Sequence, residues 1–535
     1  MLRLSGLLRV GAGVLLAFLI SGPVGAAGLF QAEDFQYLGA FRTPVSMQNI
    51  LGSTTDALSY CKGTDAYYPD GDPQGPDDGF PGSLFGVGHA WTTPMFEISI
   101  PAPVNSKRVS DLPVATLLQA PANVANPIYI AGDGLKGIEY LPAQAGMSGA
   151  KLHITVGQHY QYDPRPTHGW MDLDLSNPHT VGAWYIGTES QVSCLNTNEY
   201  VVTIPKDWAD ENVGGMRLAC GRYREGQVAT GPTLVAYAPW LQGNPPPPNT
   251  HLSFLPLIHY RNLDPTHGLE GFCNADNWTG AAWLYNEDKA SVAIVGTKGF
   301  GDCWYGWQDG MRPEICATWP GGCEANGYGG SNRGYYASSF RTVILLYDPH
   351  DLARVARAET SAWTPQPYLM FDITPYMIRP ETTYEIGTGG VAYDDVRGYL
   401  YVTERGGDVA TEKNIVHVFK IAPAAHGVNP GNGDPNPRDL HGSSSTLPPN
   451  GVAGLSVRVT VDRRVGIADI QMASPAIVEA RHVMILDVQG RLVRDLGETT
   501  AERVAWPTRG IANGVYFARV ESKSGAATGK IVVVQ

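Results

Sequence analysis

Between about residue 50 and residue 421 the apolar positions fall in short runs, continuous or alternating with polar ones, and Gly, Pro or Asp bounds each run. This pattern predicts strands, not helices. The runs recur in a fixed order. One type ends in a small and then a polar residue: 84–89 (LFGVGH), 152–158 (LHITVGQ), 216–222 (MRLACGR), 292–298 (VAIVGTK) and 400–405 (LYVTER). A second type follows after a variable loop, at 94–100, 169–175, 233–238, 342–347 and 415–421. A third, marked by Gly, precedes most copies, at 136–141, 269–273, 389–393 and, less clearly, 55–60. Three or four strands returning in this way predict an all-β chain. The expected architecture is a five-bladed β-propeller, one blade either way, spanning 29–421. Two stacked β-sandwiches are the alternative. Short helices are expected only at 207–213 and 351–358.

The pattern changes at both ends. Arg3 and Arg9, an apolar run over 10–20 and the small residues Val24, Gly25, Ala26 and Ala27 predict a secretory signal peptide over 1–26. No other stretch reaches the roughly 18 apolar residues a spanning helix needs, so no transmembrane segment is expected after cleavage. Residues 422–454 are rich in Pro, Gly, Asn and Ser and read as a linker. Beyond it, 455–535 reads as a separate small β-domain with strands at 457–461, 481–488, 514–521 and 529–534.

Composition narrows the function classes. The 535 residues are 43% hydrophobic and 17% charged, with 63 Gly, 40 Pro, 26 Tyr and 12 Trp, which excludes disorder and long helical bundles. A net charge of −13 argues against nucleic-acid partners. The seven Cys are odd in number, and an exported chain meets an oxidising compartment, so disulfides are the expectation. Cys303, Cys316 and Cys323 crowd one loop and suggest a local staple, with the connectivity left open.

The segment 483–496 (VMILDVQGRLVRDL), then Trp506, 514–520 (GVYFARV) and 530–534 (KIVVV) resemble the immunoglobulin-like β-sandwich of FlgD-like proteins and type IX secretion C-terminal sorting domains. The resemblance implies a secreted or outer-surface protein with the export machinery as partner. The front part resembles uncharacterised secreted bacterial propeller proteins through 86–91 (GVGHAW) and 389–404 (GGVAYDDVRGYLYVTE), and these imply no activity.

In a propeller, second-strand ends and first-strand starts meet at one mouth of the central channel. The expected set is His89, Gln158, His159, Arg222, Lys298 and Arg405 from the one position, with Asp56, Lys136 and Glu270 from the other and Glu404 beside them. Its cations would focus a positive field on an anionic group. Trp304 and Trp307, in a long aromatic loop over 299–340, could stack on sugar rings. The expected function is binding of a carbohydrate or other anionic ligand, with His89, His159, Arg222, Lys298, Arg405, Trp304 and Trp307 in contact. Strand ends also carry polar residues simply because they meet water.

A glycan-cleaving enzyme using Glu270 and Asp56 is the alternative, since glycosidases pair carboxylates about 5 to 9.5 Å apart. A protein–protein scaffold is the third reading. No cofactor is indicated. Calcium at Asp70, Asp72, Asp77 and Asp78, or at Asp434 and Asp439, is unsupported, and solvated turns are preferred.

Overall fold

A computed structural model describes residues 28–46, 57–62, 80–87, 94–128, 134–157, 164–187, 196–222, 229–261, 265–286, 288–305, 335–379, 387–411, 413–421, 456–462, 467–473, 480–487, 491–501, 503–508, 511, 514–522 and 525–533. The expected signal peptide and linker lie outside these residues. The described chain is all-β, with seven sheets, none closed on itself.

Five sheets follow one another along 28–421. The first runs Leu58–Cys61, Ser83–Val87, Pro94–Ser99 and Leu117–Asn123. The second runs Gly134–Leu141, Lys151–Gly157, His168–Met171 and Val181–Ile186, with the short His251–Leu252 strand parallel on its outer edge. The third runs Val201–Thr203, Leu218–Cys220, Ala229–Tyr237 and Phe254–Arg261. The fourth runs Asn277–Tyr285, Ala290–Tyr305, Tyr335–Tyr347 and Leu369–Asp372. The fifth takes Thr388–Asp394, Tyr399–Asp408 and Lys413–Ile421 from the end of this region and Phe35–Ser46 from its start. The two ends of this region are thus joined by an antiparallel ladder that pairs Phe35 with Ile421 and Phe41 with Val416.

Burial couples the sheets in a cycle. Phe85, Met95, Leu135 and Ile154 form a core between the first and second sheets. Trp170, Trp184, Leu218 and Val235 do so between the second and third, and Val202, Leu234, Trp278 and Ile294 between the third and fourth. Val295, Ile344, Val402 and Phe419 link the fourth to the fifth, and Phe41, Leu84, Phe96 and Tyr401 link the fifth back to the first. The first strands of the five sheets also touch in this order and return to the start.

Such close approach needs small residues. A Cβ on Gly137 would stand 1.9 Å from the Glu199 carbonyl oxygen, and one on Gly390 would stand 2.4 Å from the Leu58 nitrogen. Both contacts are tighter than any real Cβ makes, so glycine is what lets neighbouring first strands meet.

The structure corrects one expected strand. Residues 269–273 form a turn after the Pro265–His267 helical turn, with Gly271 at φ +71° and the Cys273 N–H held by Asp276 at 3.1 Å. The first strand of the fourth sheet is Asn277–Tyr285, buried on both faces except at its last residue, which removes the alternation that would have marked it. The two helices form at Lys206–Asn212 and Pro349–Ala356. Asp348 caps the latter through the His350 N–H at 2.8 Å, and Pro349 occupies its first position.

Residues 456–533 form a three-stranded sheet, Ser456–Asp462, Ile467–Ala473 and Arg503–Pro507, and a four-stranded one, Leu492–Thr499, Arg481–Asp487, Gly514–Ser522 and Gly525–Val533. Alternate residues of both, including Ile470, Met472, Val483, Ile485, Trp506, Ala518 and Val520, share one core. An apolar face on each sheet drives this pairing.

Candidate functional site

Antiparallel pairing places the start of each first strand beside the later part of its second. Gly134 faces Gly157, Val201 faces Cys220, Asn277 faces Thr297 and Thr388 faces Glu404. Of the polar residues singled out in the sequence, Lys136, Arg222, Lys298, Glu404 and Arg405 lie at this end of their sheets, and the structure supplies the partners that sequence reasoning missed.

Lys136 and Glu199, from neighbouring first-strand regions, form an ion pair at 4.0 Å with 1% and 0% of their side chains exposed. Arg222, 3% exposed, donates from Nη1 to Asn198 Oδ1 at 3.0 Å. Lys298 donates from Nζ to Asp276 Oδ1 at 3.0 Å and to the Gly299 carbonyl at 2.9 Å. Asp276 also accepts the Gly299 N–H at 2.9 Å. Burial raises the Asp276 carboxyl, and the Lys298 charge with the hydrogen bonds it accepts only partly offsets this.

Glu404 is also engaged. Its Oε2 meets His417 Nε2 at 2.8 Å and accepts the Ile378 N–H at 2.8 Å, while Oε1 accepts the Arg379 N–H at 2.7 Å. Burial alone would raise this carboxyl; the His417 hydrogen bond and charge and the two backbone donors outweigh it and hold it below its ordinary value. Tyr37, from the N-terminal strand, reaches the other ring nitrogen of His417 at 2.9 Å. Arg405 is half-buried, and its N–H donates to the Gly387 carbonyl at 3.1 Å.

Further along the first strands, Glu139 ties three sheets together. It accepts the Ser59 hydroxyl at 3.2 Å from the first sheet and the Thr203 N–H at 2.9 Å from the third, and Ser59 in turn accepts the Tyr140 N–H at 2.7 Å. Burial pushes the Glu139 carboxyl up to about 7 from 4.5, against the lowering pull of Thr203 and Ser59. The folded state therefore holds a proton that the unfolded chain releases above pH 4.5, and this group's contribution is lost as pH rises toward 7. Glu139→Gln, a neutral stand-in that can keep both contacts, should raise stability at pH 8 by about 2 kcal/mol once partial solvent access is allowed for, and leave it unchanged near pH 4.5. Urea unfolding of both proteins at the two pH values measures this.

Of the other expected site residues, the two that are described lie elsewhere. Glu270 is exposed on the turn before Asn277–Tyr285, its N–H on Gln366 Oε1 at 2.9 Å, and not on a first strand. Trp304 pairs in register with Tyr336 at the far end of the second strand of the fourth sheet, and its side chain lies outside the described residues. Asp56, His89, Gln158, His159 and Trp307 lie outside them too, as do Asp70, Asp72, Asp77, Asp78, Asp434 and Asp439. Among the described residues no cluster of three or more His, Cys, Asp or Glu could hold a metal.

No disulfide joins two described cysteines. Cys220 is buried with its thiol toward the Val235 carbonyl, Cys273 and Cys303 carry thiols, and Cys194, Cys316 and Cys323 lie outside the described residues. The missed partners Asn198, Glu199 and Asp276 share one signal, a polar residue just before a buried β-run (YVVTI after Glu199, NWTGAAWLY after Asp276).

Residues 466–534 match the family model described as a secretion system C-terminal sorting domain. The chain carries a sorting domain at its C-terminal end. The match spans the strands Ile467–Ala473 through Gly525–Val533, including the Trp506 core. The sorting domain marks the protein as secreted or displayed at the outer surface, and implies contact with the type IX export machinery. Among the described residues no helix is long and apolar enough to cross a membrane.

No curated protein matches the chain. A crystal structure of native alpha-2-macroglobulin from Escherichia coli, spanning domains MG0-NIE-MG1, is similar at 10% identity and a TM-score of 0.15, covering 77% of this chain and 100% of that one. A tetra-tandem repeat from the extending region of a large adhesion protein is similar at 9% identity and a TM-score of 0.11, covering 92% and 98%. Likenesses this distant carry no argument about the fold.

Proposed function

We propose that 29–421 is a five-bladed propeller, that 422–454 is a linker, and that 455–535 is an immunoglobulin-like sorting module through which the propeller is exported and held at, or released from, the cell surface. The cyclic packing of five sheets supports the first part, together with closure of the last sheet by the Phe35–Ser46 strand. That arrangement shelters sheet edges and leaves one axis around which equivalent positions gather.

The function proposed is binding of a carbohydrate or other anionic ligand at the channel mouth. One observation carries it: Arg222, Lys298 and Arg405 each stand one or two residues past the second-strand position that pairs with the start of the first strand, in three successive sheets (Val201 with Cys220, Asn277 with Thr297, Thr388 with Glu404). Arg222 and Lys298 are held by buried partners, which pre-organises their position, and the half-buried Arg405 is the group best placed to reach a ligand. Pre-organised groups lose little freedom on binding.

A glycan array probed with the purified full chain should show retention on uronic-acid-bearing glycans without soluble products. Arg405→Ala should weaken that retention at least about tenfold, the loss of roughly one charge-assisted contact, and Glu270→Gln should leave it unchanged. No retention on any glycan overturns the binding proposal. Release of soluble products that Glu270→Gln abolishes replaces it with the enzymatic reading.

A further inference from the structure

The two described thiols of the fourth sheet stand together. Cys273 lies in the turn before Asn277–Tyr285, 8% exposed, and Cys303 lies toward the far end of Ala290–Tyr305, exposed and paired in register with Ala337. Gly299 leaves room for the Cys273 thiol beside Ala337, the residue across the ladder from Cys303. A Cβ there would stand 2.8 Å from Cys273 Sγ and 2.9 Å from Ala337 Cβ. The Cys273 and Cys303 side chains are hydrogen-bonded to each other, with the Cys273 thiol as donor. Cys273 Sγ itself accepts the Ala275 N–H at 3.5 Å.

We propose that Cys273 and Cys303 form a disulfide after export, by exchange with a disulfide-bearing oxidant of the outer compartment. This differs from a staple within the loop, because it joins the turn before the first strand to the end of the second, just ahead of the 306–334 segment.

The roles follow from the surroundings. The hydrogen bond from Cys273 pulls the Cys303 thiol down to about 7 against burial, and nearby backbone N–H groups help, which makes Cys303 the more reactive thiol of the two. The same bond, then burial, raises Cys273. The exposed Cys303 thiolate attacks one sulfur of the oxidant and releases its other half as a thiolate. Cys273 then loses its proton to solvent and attacks the Cys303 sulfur of the mixed disulfide, expelling the second half. Two protein thiols are oxidised, one disulfide is reduced to two thiols, and the chain becomes two hydrogens lighter.

The test uses the reduced full chain and oxidised glutathione at pH 7, followed by alkylation, non-reducing digestion and mass spectrometry. The expected product is the Cys273–Cys303 peptide pair. In Cys273→Ser, Cys303 should instead accumulate as a glutathione adduct, and alkylation of Cys303 in the reduced wild-type chain should reach half its maximal rate near pH 7. Cys303 bound to Cys316 or Cys323, a lasting glutathione adduct on wild-type Cys303, or both thiols still alkylated would each overturn the proposal.

Discussion

Lys298→Ala should destabilise the protein by about 3–5 kcal/mol, the cost of leaving one member of a buried ion pair uncompensated. Asp276 has none of its side chain exposed, and without Lys298 its partners among the described residues are the N–H groups of Gly299 and Cys273. Its carboxyl already lies above its ordinary value through burial, so removing the ammonium should drive it to take a proton. Two measurements separate this from simple loss of packing. Asp276→Asn in the same chain should recover much of the stability, because no buried charge is then stranded. Stability of Lys298→Ala should also improve as pH falls, since a proton on Asp276 replaces the missing cation. A loss below 1 kcal/mol, or one unaffected by Asp276→Asn, would show that the pair is not the buried unit described.

Gly137→Ala should cost roughly 3 kcal/mol or more, at the upper end of what overpacking usually does. The methyl group would meet the Glu199 carbonyl oxygen at 1.9 Å and Thr155 Oγ1 at 2.9 Å. Neither can yield cheaply. Thr155 Oγ1 accepts the Gly137 N–H at 2.8 Å and donates to the same Glu199 carbonyl at 2.7 Å, so the hydroxyl bridges two sheets. Moving it away breaks the bridge, and moving residue 199 displaces the partner of Lys136. Gly149→Ala is the control: nothing lies within 4 Å of its Cβ, and it should leave stability within about 0.5 kcal/mol. Denaturant midpoints of the two variants give the comparison directly.

Much of the strand content was legible along the chain. The runs at 152–158, 292–298 and 415–421 overlap strands Lys151–Gly157, Ala290–Tyr305 and Lys413–Ile421, because composition and punctuation act locally. Asn277–Tyr285 escaped notice because burial on both faces leaves no alternation to read, and 269–273 was mistaken for it because Gly271 marks a turn. The Phe35–Ser46 strand was missed for another reason. Its partner lies nearly four hundred residues away, and a ladder between segments so far apart leaves no signal in either one alone.

The candidate site divides in the same way. Arg222 and Lys298 could be picked out by recurrence of a polar residue after each apolar run, while the pairing of Asn198 and Asp276 with them could not, because a polar residue before a β-run does not say which side chain it meets. Hydrophobic period, turn residues and the ordered motifs of the tail are properties of neighbouring positions, so the sequence by itself determined the all-β class, the repeat and the secreted or outer-surface address. Which strand closes the last sheet, which charges are buried against each other, and which two thiols meet were decided only by tertiary structure. Those depend on distances between residues far apart in the chain, and only packing sets them.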